Sequence, residues 1–325
     1  MPRVAQIVCR FVLLAAIVSF QVHAEHNQQN PDATALAPPE ARMWLDKMTL
    51  AYDQQTFSGT FTYMRGSEFN TMRIVHDARG EAVKESLVRL NGPRIEVRRS
   101  ASGIVCFHDA QEPGNLRHDV LLGPFSQAFH SALSESGHHY QLTLHGEDRV
   151  ADRRVMKLAI QPINSARLGY LLWLDYETGL LLQSHLVEGS QVKEIFSFSS
   201  IDFEPAAERL AAELKAIDPE NRVSHLLVDN VIDQERAPPF TVKWLPKGFK
   251  QVHQAGNRLL FSDGLVTFSV FFGPSGDMPN VATEVEGRTV VTQSLGSKAG
   301  QVTVIGGVPV LTAKKLAESV EPILY

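Results

Sequence analysis

The sequence predicts a mainly β chain of the α+β class, in which a long antiparallel meander is followed by a smaller antiparallel sheet with a terminal helix. Three observations carry this. Phe57, Gly59, Phe61 and Tyr63 alternate with Ser58, Thr60 and Thr62, the period of a half-buried strand. Short apolar runs are separated by turn signals about every ten residues, among them Gly66-Ser67, Asn91-Gly92 and Glu177-Thr178-Gly179. A Pro-rich break, Ala237-Pro238-Pro239, divides the 325 residues into a large and a small part.

The first residues read as an address. Arg3 and Arg10 form a positive region, and the run FVLLAAIVSF at 11–20 is too short for a membrane span, which needs about 20 residues. Val22-His23-Ala24 then places small residues at a cleavage site, so 1–24 is a secretory signal. A retained anchor is the alternative that the length argues against. Residues 25–38 are polar and aperiodic, a flexible leader.

Pro38-Pro39 opens a helix whose apolar stripe is Trp44, Leu45, Met48, Ala51 and Tyr52. Strands follow at 57–63, 72–75, 85–90, 95–98 and 104–107. A short helix over 125–133 shares the face Phe125, Ala128, Phe129, Ala132 and Leu133. Strands resume at 140–145, 155–160, 168–175, 180–187 and 192–201. Leu171-Leu172-Trp173-Leu174 and Leu180-Leu181-Leu182 do not alternate, which points to strands covered on both faces. The large domain is thus 39–204 and a linker spans 205–239, the latter starting with a short amphipathic helix or an acidic stretch at 204–214. The small domain is 240–325, with strands beginning at Val242 and Trp244 and at 259–262, 265–272, 288–295 and 301–305, then a helix over 311–320.

Lys and Arg number 31 against 36 Asp and Glu, a net charge of −5, which weighs against nucleic acid as a partner. Of the two cysteines, Cys9 leaves with the signal, and Cys106 lies in an apolar strand as a buried, inert thiol. Gly-x-Ser-x-Gly, His-Glu-x-x-His, Cys-x-x-Cys and phosphate-loop spacings are absent from the sequence. His138, His139 and His145 lack a carboxylate or thiolate at ligand spacing and read as solvated, so no metal, cofactor or catalytic set is assigned. A secreted β chain with aromatic strand faces fits a binding module better than a hydrolase.

Five stretches carry a family resemblance. They are Phe57-Ser58-Gly59-Thr60-Phe61-Thr62-Tyr63; Leu174-Asp175-Tyr176-Glu177-Thr178-Gly179-Leu180; Trp244-Leu245-Pro246-Lys247-Gly248-Phe249; Asp263-Gly264-Leu265 with Phe268-Ser269-Val270-Phe271; and Val304-Ile305-Gly306-Gly307-Val308-Pro309. In this order they resemble the RseB/MucB family of periplasmic regulators of the envelope-stress (sigma-E) sigma factor. The resemblance implies an N-terminal LolA/LolB-like unclosed antiparallel β half-barrel with helices in its concave side, and a smaller C-terminal sheet with a terminal helix. It also implies a periplasmic protein that binds the periplasmic segment of a membrane anti-sigma factor of the RseA/MucA type. The bound segment is shielded from site-1 proteolysis and released by lipid or lipopolysaccharide; self-association into a homo-oligomer is left open. For such a protein the lipid-facing candidates are Phe57, Phe61, Tyr63, Leu87, Trp173 and Leu182, with plain core as the competing assignment for each. The partner-facing candidates are Phe268, Val270 and Phe272. A lipid or lipoprotein carrier on the same half-barrel is the rival reading.

Overall fold

The computed structural model describes residues 38–101, 103–109, 139–215, 222–227, 238–274, 279–295 and 300–323. The signal, the leader and the helix expected over 125–133 lie outside these. Helix α1 (Pro39–Gln54) starts at the expected proline and buries Ala41, Trp44, Leu45, Met48, Ala51 and Tyr52. Its apolar stripe has nowhere to go but a sheet face, and the sheet follows directly.

That sheet has eleven antiparallel strands: β1 (Phe57–Arg65), β2 (Glu68–Asp77), β3 (Lys84–Arg89), β4 (Ile95–Ser100), β5 (Gly103–Asp109), β6 (Tyr140–Val150), β7 (Arg153–Pro162), β8 (Gly169–Asp175), β9 (Leu181–Glu188), β10 (Gln191–Asp202) and β11 (Arg222–Leu227). Their spatial order is β11-β5-β4-β3-β2-β1-β10-β9-β8-β7-β6, so the sheet is two meanders joined at its middle by β1 and β10 and left unclosed at β11 and β6. It curls enough for β6 to reach β10, four places along the order. The ten strands expected from sequence correspond to β1 through β10.

The stretch read as linker is partly structured. Helix α2 (Ala207–Leu214) buries Leu210 and is tied to the sheet by Arg73 to Glu213 (2.7 Å) and by Arg98 to the Leu214 carbonyl (3.0 Å). Arg73 stands opposite Thr60, so α2 covers the face opposite α1. Strand β11 then pairs with β5 at the sheet edge.

The second sheet has six strands: β13 (Lys250–Ala255), β14 (Arg258–Ser262), β15 (Thr267–Gly273), β16 (Val281–Val285), β17 (Arg288–Ser294) and β18 (Gln301–Gly306), in the order β13-β14-β15-β18-β17-β16. Helix α3 (Val310–Glu318) lies against β17 and β18 through Ala313, Leu316 and Ala317. A two-stranded ribbon pairs β12 (Phe240–Val242) with β19 (Val320–Pro322), so the strand expected to reach Trp244 stops at Val242. The strand expected from Leu265 starts at Thr267, because Asp263 to Val266 form the turn. No helix among the described residues is long and apolar enough to cross a membrane. Cys106 is buried, and burial pushes its thiol up to about 11, as an inert core position requires.

Candidate binding faces and the seam between the two sheets

Five of the six lipid-facing candidates share the face that α1 covers. Phe57, Phe61 and Tyr63 alternate along β1. Leu87 stands opposite Ile74, which stands opposite Gly59. Leu182 lies two residues from Ser184, which pairs with Phe196, which pairs with Tyr63. All five are buried, and they pack as core: Phe57 stacks on His76 with ring centroids 4.9 Å apart, and Phe61 meets Phe196 at 4.9 Å and Phe198 at 5.7 Å edge-on. Gly59 makes this row possible. A Cβ there would sit 2.6 Å from the Ser200 carbonyl oxygen and 2.7 Å from the Phe198 ring, so the ring lies directly on bare backbone.

The sixth candidate, Trp173, faces the other way. Its neighbours Leu172 and Leu174 occupy the α1 side, while Trp173 packs against His185 (4.6 Å) and under the Lys157 ammonium (4.8 Å) and donates to Asp148 at 2.9 Å. Burial, with the Lys157 charge, lowers His185 and favours its neutral form.

One polar cluster is sunk under α1. The Tyr52 hydroxyl donates to Glu85 Oε2 (2.6 Å), and His76 Nδ1 lies 3.0 Å from the same oxygen. Burial by itself raises the Glu85 carboxyl, but the His76 hydrogen bond, the Arg99 and His76 charges and the Tyr52 hydroxyl together hold it below the usual carboxylate range. Burial and the Glu85 charge push Tyr52 well up, so it remains a donor.

In the small sheet, Phe268 and Val270 sit on β15, a central strand, and are wholly buried. Phe268 lies between Phe261 and Phe249, each 5.1 Å away. Neither side chain presents surface to a partner. Phe272 is half-buried and stacks on Phe240 at 5.5 Å. The sheet's margins are β13 and β16, each with one hydrogen-bonded neighbour. Of the three histidines grouped in the sequence, His138 lies outside the described residues, His139 sits against Gly248 and His145 is exposed. No group of His, Cys, Asp and Glu able to hold a metal occurs among the described residues.

The two sheets meet along a polar seam that sequence reasoning missed. At one end Asp263 fills every acceptor position of its carboxylate. Oδ1 accepts the N–H groups of Leu265 and Val266 (3.1 Å each), fixing the turn, while Oδ2 accepts Arg167 Nη1 (2.6 Å) and the Tyr140 hydroxyl (2.7 Å) from the large sheet. Arg167 also donates to the Lys247 carbonyl and lies over Phe249 (5.1 Å). Burial and the Asp263 charge push the Tyr140 phenol far up. Midway, the Tyr170 hydroxyl reaches the Leu265 carbonyl (3.4 Å). At the other end two glycine turns interlock. Gly66 (φ +56) and Gly287 (φ +70) face across the seam, and a Cβ on Gly66 would come 2.7 Å from Glu286 Cα. Arg65 lies against Gly287 and donates to Glu194 (2.8 and 3.0 Å) and to the Tyr63 hydroxyl. Lys193 bridges Glu188 (3.0 Å) on its own sheet and Glu284 (2.6 Å) on the other. The sequence signals were the Gly66-Ser67 and Asp263-Gly264 turns and the Trp244–Phe249 stretch; nothing local marks Arg167 or Glu194.

The protein-family model for the MucB/RseB N-terminal domain matches residues 40–220, and that for the MucB/RseB C-terminal domain matches 234–321. The sigma factor AlgU regulatory protein MucB of Pseudomonas aeruginosa is 34% identical over 303 residues, covering 87% of this chain and 91% of that protein. The sigma-E factor regulatory protein RseB of Escherichia coli K12 is 24% identical over 300 residues, covering 89% and 93%. A crystal structure of MucB in complex with MucA(peri) superposes with a TM-score of 0.68 at 30% identity, over 88% of this chain and all of that one.

Proposed function

The chain belongs to the MucB/RseB family, and from that premise we propose that it is a periplasmic regulator that binds the periplasmic segment of a membrane anti-sigma factor. The observation that carries the reading is the likeness, over 88% of the chain, to a MucB solved with MucA(peri). Regulation by such a protein needs binding and no covalent step. Holding the segment in a shape a site-1 protease cannot engage keeps the sigma factor sequestered. A ligand that binds the segment-free form more tightly reverses this, and a coupling of about 1–3 kcal/mol is enough to shift the population several-fold.

The α1-covered face is the place for such a ligand. Phe57, Phe61, Tyr63, Leu87 and Leu182 are already packed there, so an acyl chain enters by displacing α1 rather than by filling a void. Lipid or lipopolysaccharide fits this chemistry. The segment docks on the small sheet beside Phe272, and strand addition at β13 or β16 supplies its backbone hydrogen bonds. Protease protection tests the reading: the purified segment is digested by a site-1 protease with and without this protein, then with lipopolysaccharide added. Protection that lipopolysaccharide reverses is expected. Cleavage at the same rate inside the complex would count against it.

A further inference from the structure

The α1-covered face and the seam between the sheets share one residue chain. Tyr63 has its ring in the aromatic row, in register with Phe196, and its hydroxyl accepts from Arg65. Arg65, the next residue on the same face of β1, donates to Glu194 and lies against Gly287 of the small sheet. The contact has no slack. A Cβ on Gly287 would be 2.7 Å from Arg65 Cγ and 2.8 Å from the Lys193 carbonyl, and one on Gly66 would be 2.7 Å from Glu286 Cα. Packed interfaces of this kind are bistable and do not deform smoothly. A shift of Arg65 therefore either pushes the β16–β17 turn away or breaks the Arg65–Glu194 pair.

We propose that Tyr63 and Arg65 form the link by which occupation of the α1-covered face moves the small sheet relative to the large one. The inference rests on the lipid-release reading above and deepens it by naming its route. Ligand entering beside Phe61 and Phe196 displaces the Tyr63 ring, the hydroxyl leaves Arg65, and the Arg65 side chain moves at the point where the two glycine turns touch. The Arg167–Asp263 pair at the other end of the seam stays made and acts as the pivot, being wholly buried, with every acceptor position of the Asp263 carboxylate filled. The two ends thus have different parts: one fixed, one responsive.

The test uses the full chain with Cys9 and Cys106 changed to Ser and spin labels at Leu90→Cys and Leu311→Cys, one exposed position on each domain. Lipopolysaccharide is the probe, and the periplasmic segment of a MucA-type anti-sigma factor is the partner. The link is cut in two ways: Arg65→Met with Glu194→Leu, which removes the buried pair together, and Tyr63→Phe, which removes one hydroxyl. In the parent, lipopolysaccharide is expected to shift the inter-label distance and release the segment. In both variants, compared at equal bound lipopolysaccharide, the distance is expected to stay put and release to need at least tenfold more lipid. Equal release and an equal distance shift in parent and variants overturn the link alone. A parent that holds the segment at every lipopolysaccharide concentration overturns the lipid-release reading, and the link falls with it.

Discussion

Arg167 and Asp263, 96 residues apart in sequence, form an ion pair of 2.6 Å in which neither side chain keeps any exposed surface. Removing one partner strands the other charge in the interior. Arg167→Met is expected to destabilise the protein by about 3–5 kcal/mol. Adding Asp263→Asn is expected to recover at least about 1 kcal/mol, because the amide oxygen still caps the Leu265 and Val266 N–H groups while the stranded charge is gone. Urea unfolding of the two variants measures both. A double variant less stable than the single one would show that the turn, and not the pair, dominates.

Gly59 is a packing position. Gly59→Ala places a Cβ inside the Phe198 ring contact and should cost about 1–3 kcal/mol. Shrinking the ring with Phe198→Leu cannot relieve the clash with the Ser200 carbonyl, so the double variant is expected to regain only part of the loss. Thermal melts of the set decide, and full rescue would place the whole conflict in the ring.

The cluster under α1 gives an acid limb. Glu85 has a folded pKa below its unfolded one, so its contribution to stability is present above the unfolded value of about 4.3 and is lost as pH falls through the folded value. Glu85→Gln is expected to cost about 1–3 kcal/mol at pH 7 and to flatten the stability profile below pH 4. An unchanged slope in that range would assign acid sensitivity elsewhere.

The two sheet faces can be read separately by tryptophan emission. Trp44 lies on α1 against Tyr176 (5.5 Å), whereas Trp173 lies on the opposite face under Lys157. In variants retaining a single tryptophan, lipopolysaccharide is expected to shift the emission of Trp44 and leave that of Trp173 unchanged. A shift confined to Trp173 would put the ligand on the wrong side of the sheet for the mechanism proposed above.

What the sequence disclosed and what it hid divide along a physical line. Periodicity is local, so β1 and the stripe of α1 were legible from Phe57-Gly59-Phe61-Tyr63 and Trp44-Leu45-Met48. Where a strand sits in its sheet is decided by distant pairing. Phe268 and Val270 read as a candidate surface because nothing near them says that β15 lies between β14 and β18. The face of Trp173 was not legible because the run around it is apolar on both sides, which erases the alternation that would have assigned it. Strands β11, β13 and β16 were missed because margin strands are short and polar. The family-like stretches Trp244–Phe249 and Asp263-Gly264-Leu265 turn out to build the seam, which no local pattern announces.

The join of β1 to β10 has a consequence for biogenesis. Arg65 and Glu194 on those strands are 129 residues apart, so the middle of the sheet is assembled from its most distant pieces. Each flanking meander can zip up as it emerges, but the Phe61 row stays bare until the tenth strand arrives. A newly made chain therefore carries a sticky aromatic stripe until that strand is in place, and maturation of the protein should be slow, concentration-sensitive and helped by a holdase.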